Sequence, residues 1–510
     1  MASEAASRTS RMAANTVFSL AAWFLPLVIG FFATPILVRY LGNENYGLYA
    51  VITGFMAYSF SFGVGKVAGK YVAEYQAAGE IDKISPVVSA TFAFTLAVAI
   101  VGTIVLASLA RVIVADVLLI TGKASNVAVT SLYLACAISM AIMLSQIYQY
   151  VLQGLQRFGA FLVLTNLNGL LLGIGSIIIV ISGGYIVGLL VWNLTVAVVT
   201  AALFFITARI YLPSLRLVFH FDRKTVRSVV NYGSSIIVYQ VFANILFIFE
   251  RALVMRKFGA EALAFYSVPM MLAIYLHSFI GSFALVLFPV VNELLSDQER
   301  QIELYQKASK IIVAIVVFVV TTFICTGRTG LLIWINADYA ANSYNLLVLH
   351  SLTFGLIAIM IVAWQLAEGF RHAKINALTT AFWLVIAVPA MLFAARYYGP
   401  DGIAAARLLS VILSVPVMFY VERRFLGRSF WRFWAAVSLR VGIAAVVAGL
   451  IEMLALRTFS AGWTALALAG TAGVMVYALV LIASGYFTRD ERALLLGLLT
   501  RKFRGAAALG

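Results

Sequence analysis

Long apolar runs follow one another along almost the whole chain, separated by short polar connections. They fall near 13–38, 46–70, 84–110, 126–151, 160–182 and 186–211, then near 231–256, 261–290, 308–327, 343–367, 375–397 and 402–422, and finally near 433–456 and 462–486. Each is long enough to cross a hydrocarbon core as a helix of about 20 residues. Lipid offers no partner for backbone polar groups, so a spanning segment must satisfy its own, as a helix does. A β-barrel would alternate apolar and polar positions in short segments, and these runs do not alternate. The pattern predicts an all-α polytopic membrane protein of about fourteen transmembrane helices.

Composition strengthens that picture. The 510 residues are 63% hydrophobic and 11% charged, whereas soluble domains are nearer half apolar and a quarter charged. The formal charge is +16. With no basic soluble domain to carry it, this charge is expected to face the cytoplasm and its anionic lipid, and nucleic acid is not expected as a partner. Lys and Arg concentrate on alternate connections, clearly at Arg223, Lys224, Arg227, Arg423, Arg424 and Arg428. Placing these inside puts both termini in the cytoplasm. The expected organisation is a tail at 1–12, a six-helix lobe at 13–211, an amphipathic linker at 212–230, a second six-helix lobe at 231–422, two extra helices at 433–486 and a tail at 487–510. The first apolar run is too long for a signal-peptide core and is expected to stay as a helix.

The two six-helix sets share an internal repeat. Arg39-Tyr-Leu-Gly-Asn-Glu44 recurs as Arg256-Lys-Phe-Gly-Ala-Glu261, at an offset of 217. Tyr49 and Val51 fall on Tyr266 and Val268 at the same offset, and Gly183 falls on Gly399 at 216. An even number of helices per half makes the repeats parallel, related by a pseudo-two-fold along the membrane normal. Transporters of that kind bind substrate between their halves and expose the site alternately.

Familiar catalytic and nucleotide motifs are missing from the sequence. There is no HExxH and no paired CxxC, and Gly63-Val-Gly-Lys-Val-Ala-Gly-Lys70 has the wrong spacing for a phosphate loop. Cys136 and Cys325 sit in apolar runs and read as packing residues. No catalytic activity, metal or cofactor is expected.

Three motifs carry a resemblance. The chain opens Ala14-Asn15-Thr16, then Pro35-Ile-Leu-Val-Arg-Tyr-Leu-Gly42 and Tyr46-Gly-Leu-Tyr49; Gln153-Gly-Leu-Gln-Arg157 and Phe288-Pro-Val-Val-Asn-Glu293 follow. Together they resemble the polysaccharide flippases of the multidrug/oligosaccharidyl-lipid/polysaccharide exporter superfamily, over essentially the whole chain. The two extra C-terminal helices are shared with polysaccharide and lipid II flippases and missing from twelve-helix drug exporters. The resemblance implies transfer of a polyprenyl-diphosphate-linked oligosaccharide across a bacterial inner membrane during exopolysaccharide or lipopolysaccharide synthesis. It also implies H+ or Na+ as a coupling ion, with a polysaccharide polymerase and glycosyltransferases as partners. The alternatives are a cation-coupled drug antiporter of the same superfamily and a membrane glycosyltransferase or polymerase.

Ionisable residues inside spans are the first place to look for a site, because each costs energy to insert. Lys66 and Lys70, one turn apart, would hold a diphosphate, or snorkel to the interface. Arg251 is a phosphate candidate and Glu250 a coupling candidate; the plainer reading of either is an inter-helix ion pair. His277, mid-span, is a substrate candidate or a core histidine. Arg39 and Arg256, matched by the repeat, would form an outer gate, or anchor the interface. Gln146, Gln149, Asn166, Asn168 and Asn193 would contact sugar, or join helices.

Overall fold

A computed structural model of the chain describes residues 2–59, 63–218, 222–293, 298–370, 372 and 374–488. Linker residues 219–221 and the expected cytoplasmic tail beyond 488 lie outside the described residues. No strand occurs among the described residues. The long helices are α1 (Ala2–Ser59), α3 (Ile84–Val112), α4 (Lys123–Gly154), α5 (Phe158–Ile181), α6 (Ile186–Tyr211), α7 (Arg223–Glu293), α8 (Gln298–Trp334), α10 (Tyr344–Gly369), α11 (Lys374–Tyr397), α14 (Trp431–Thr458) and α15 (Trp463–Ala483). Shorter ones are α2 (Gly65–Ala78), α9 (Ala337–Asn342), α12 (Gly399–Ile412) and α13 (Val415–Phe425). Among the described residues, eleven helical stretches are long and apolar enough to cross a membrane. The chain is a multi-pass membrane protein.

Two of these helices each carry two of the predicted spans. α1 bends at Gly42 (φ 74°, ψ 161°) and α7 at Gly259 (φ 85°, ψ −179°). Both glycines occupy a backbone region open essentially to glycine alone, and they stand at the 217-residue offset of the repeat. Gly183 (φ 80°) and Gly399 (φ 61°), matched at 216, share the positive-φ habit where α5 passes to α6 and α11 to α12.

Two spans differ from their predictions. Within the run expected at 46–70 a helix starts anew, α2 at Gly65, after Gly63 with φ 62°; residues 60–62 lie outside the described residues. The apolar pattern runs on through the break, so hydropathy does not mark it. The predicted span 402–422 is likewise divided between α12 and α13. Asn336 caps the unforeseen α9, its side chain accepting from the Tyr339 amide at 3.0 Å.

The chain packs as two compact units, Met1–Leu287 with Arg371–Ser414, and Phe288–Phe370 with Val415–Gly510. This grouping does not follow the sequence halves, since residues 223–287 and 371–414 group with the first six spans. In the first unit, α2 lies close against α4. A Cβ on Gly65 would sit 2.6 Å from the Gln146 carbonyl oxygen, and one on Gly154 would sit 2.7 Å from that of Gly69. The Gly65/Gly69 pair therefore serves close helix packing.

Two buried carboxylates organise the second unit. Glu422 accepts from the Tyr305 hydroxyl (2.8 Å), the Phe430 amide (2.8 Å) and the Trp434 indole N–H (2.5 Å), so it ties α13 to α8 and to the start of α14. Glu452 of α14 accepts from Thr322 of α8 at 2.8 Å. Both carboxylates are fully buried.

Candidate functional site

Among the described residues of the first unit, the buried carboxylate is Glu250. It lies on α7 before the Gly259 bend, fully buried, beside the nearly buried Arg251. Successive helical residues point about 100° apart, and the two take different surroundings. The Glu250 Oε2 atom stands 3.7 Å from Nη1 of Arg407 on α12, which is itself 2% exposed. The other carboxylate oxygen accepts from the Tyr266 hydroxyl, across the bend. The Arg407 guanidinium also lies 4.9 Å from the centre of the Phe247 ring, one helical turn before Arg251. This is cation–π contact distance.

Arg251 has a berth made by a glycine. A Cβ on Gly54 of α1 would lie 2.8 Å from the Arg251 Cδ. The missing side chain lets the arginine stem cross α1, while Nη1 donates to the Phe247 carbonyl at 3.4 Å. Two guanidinium groups and one carboxylate thus share a buried region, leaving one net positive charge. A group arranged in this way suits an anion that must leave water, because guanidinium groups offer charge-assisted, forked donors.

The structure distributes the other candidates as follows. Lys66 and Lys70 lie exposed on α2. Lys70 Nζ sits over the rings of Tyr71 (5.0 Å) and Tyr232 (4.7 Å), the latter on α7 near its start. His277 is half-buried on α7 beyond the bend. Arg39 is exposed. Arg256 donates to the Asp116 carbonyl and, at 3.3 Å, to that of Val117, closing the short π-helix Ile113–Val117 at its end. At the two repeat-matched bends, Asn43 donates to Glu261 at 3.0 Å. Gly47 there packs onto the Ala260 carbonyl, with no room for a Cβ.

Sequence reasoning missed Arg407. α12 begins at Gly399, so Arg407 stands eight residues in, roughly 12 Å at 1.5 Å per residue. Arg251 is as far from the bend at Gly259. Equal depth in two apolar runs was the available signal. Tyr266 was visible only as a repeat match to Tyr49, and nothing local marks Gly54 as a neighbour of Arg251.

A separate cavity of about 180 Å³, part polar and part apolar, lies inside the first six spans. Ser145, Gln149, Thr165, Asn168, Asn193 and Thr200 contribute its polar wall, from α4, α5 and α6. Three of the five amides singled out in the sequence therefore meet at one place.

Solved structures share this all-helical fold. The inward closed conformation of lipid II flippase MurJ matches with a TM-score of 0.70 at 15% identity, covering 93% of this chain and 99% of that one. An inward-facing multidrug resistance MATE family transporter of the MOP superfamily matches with a TM-score of 0.61 at 15% identity, covering 81% and 94%. A putative O-antigen transporter of Shigella flexneri is 22% identical over 416 residues, 80% of this chain and 97% of that protein. The profile of the family described as polysaccharide biosynthesis protein matches residues 12–295. The chain belongs to that family.

Proposed function

We propose that this protein flips a polyprenyl-diphosphate-linked oligosaccharide from the cytoplasmic to the periplasmic leaflet of a bacterial inner membrane, as a transporter and not an enzyme. The observation that carries the reading is the buried, net-cationic group of Arg251, Arg407 and Glu250 in a chain of the polysaccharide biosynthesis family. A diphosphate cannot enter hydrocarbon without compensation, and guanidinium groups supply it. The drug-antiporter alternative is less favoured. The lipid II flippase covers 93% of this chain and the MATE transporter 81%.

In this reading the lobes 13–211 and 231–422 rock about a pseudo-two-fold along the membrane normal, with both termini in the cytoplasm. Lys66 and Lys70 meet the diphosphate first, and Arg251 holds it later. His277 faces the passing headgroup. The contact of Asn43 with Glu261 belongs to the outer gate, where Arg39 and Arg256 stand. Distributed cations suit release better than one tight clamp. H+ or Na+ supplies the driving force, with Glu250 as the coupling group. A polymerase and glycosyltransferases act before and after the flip.

The test is a leaflet assay for the lipid-linked glycan, with membrane levels of each variant checked by blot. Arg251→Ala is expected to reduce flipping at least tenfold, and Arg251→Lys to keep part of it. Lys66→Ala and Lys70→Ala are expected to reduce it less. Parental rates in all three alanine variants would remove these cations from the pathway.

A further inference from the structure

We infer that the cavity inside the first six spans is a subsite for one neutral sugar ring of the transported glycan, an inference that rests on the flippase reading above. Its polar wall is entirely uncharged: Ser145, Gln149, Thr165, Asn168, Asn193 and Thr200. Amides and hydroxyls that both donate and accept are the groups that match sugar hydroxyls, which do the same. Phe204 and aliphatic side chains form the rest of the wall, suited to the C–H faces of a pyranose. At about 180 Å³, the space is many times what a single water needs, so it admits a ligand group of several heavy atoms.

The wall is held in shape by bonds that leave hydrogen-bonding capacity over. Thr200 donates to Asn168 Oδ1 (3.3 Å), Gln149 to Ser145 (3.1 Å) and Asn193 to the Tyr49 hydroxyl (3.4 Å). An Asn or Gln side chain has two N–H donors and a carbonyl acceptor, and each of these bonds uses one such group per amide.

The repeat supplies an independent argument. Tyr49, which meets this wall, is matched at offset 217 by Tyr266, which donates to Glu250 beside Arg407. At the same offset Glu250 and Arg251 fall on Ala33 and Thr34. Matched tyrosines therefore head two polar sites, one neutral and one charged. The charged site fits the diphosphate, and the neutral one fits a part of the same substrate that carries hydroxyls and no charge. A site for a metal cation would be expected to include a carboxylate, and none lines this cavity.

The experiment uses the full chain in phosphatidylcholine nanodiscs, free of sugar detergents. Two probes are compared: a short-chain prenyl diphosphate, bare and carrying one neutral hexose, in gluco, galacto and manno forms. The parent is expected to bind at least one hexose-bearing probe about tenfold more tightly than the bare one, the worth of one or two hydrogen bonds. Excess methyl hexopyranoside of that configuration should remove the margin without displacing the bare probe. Asn168→Leu and Thr200→Val should shrink the margin below twofold at unchanged affinity for the bare probe, and Thr200→Ser should retain it. A parent with no margin, or a margin that survives both substitutions and the competitor, overturns the subsite. So does a Na+-dependent stabilisation lost in both variants without any sugar margin, which would make the cavity a cation site. If the parent binds neither probe, the flippase reading itself fails and the subsite falls with it.

Discussion

A carboxyl group buried inside a membrane-spanning bundle is costly unless cations and hydrogen-bond donors meet it, and Glu250 has Arg407 and Tyr266. Removing one member strands the other. Arg407→Ala is expected to lower stability by about 3–5 kcal/mol, as for other buried pairs cut on one side. The double change Glu250→Gln with Arg407→Met should recover most of that loss, because neither residue then carries charge. Thermal unfolding of the purified protein checks both, and a single variant as stable as the parent removes the pair from the account. The leaflet assay on the double variant then separates support from transport: restored folding with lost flipping assigns the charges to transport and not to folding alone. At this scale the sequence was half legible. The apolar surroundings of Arg251 and Glu250 gave both away, but their partner comes from α12, far along the chain, and no local pattern joins them. Gly54 was silent for the same reason, since its role is the space it leaves for another helix.

Helices were legible because burial in lipid forces apolar runs, and the runs are long. Their interruptions were less so. The apolar run reads as continuous hydropathy through Gly63, yet a helix starts anew just after it, α2 at Gly65. The backbone turn rests on Gly63, whose lack of a Cβ is not a matter of polarity. The bends at Gly42 and Gly259 were visible only as a repeated loop motif, while the structure shows two uninterrupted helical tracks with one glycine-only residue in each. Alanine at either glycine must take φ near +80° with ψ near 180°, at a cost of roughly 1–3 kcal/mol. Gly42→Ala and Gly259→Ala are both expected to lower the unfolding temperature of the purified protein, by similar amounts if the two bends are structural counterparts. An unchanged temperature in either would mean that the helix can run through the bend another way. Around both positions a Cβ meets nothing within 4 Å, so the loss would report backbone strain and not a clash.

For the whole molecule, topology is the sharpest expectation. With Cys136 and Cys325 replaced by serine, single cysteines at 43, 126 and 342 should react with an impermeant thiol reagent in intact cells, and those at 223 and 428 only after permeabilisation. External labelling at 223 would reverse the orientation. That orientation is read from the charge bias alone, which lies in the connections and needs no contacts. The packing units were not legible. Hydropathy counts spans and the repeat divides them into halves, but which spans pack most densely together depends on side chains meeting across helices. The first unit takes α11 and α12 from the second half, and with them Arg407.

Glu422 bears on how such a protein could be trimmed. Of its three hydrogen-bond donors, Phe430 and Trp434 belong to the C-terminal helical pair or its lead-in, and only Tyr305 comes from elsewhere. A chain cut back after α13 would keep a buried acid built for company it no longer has. The last two helices are therefore not a detachable appendix to a twelve-helix machine. An engineer wishing to graft or delete them must redesign position 422 in the same step.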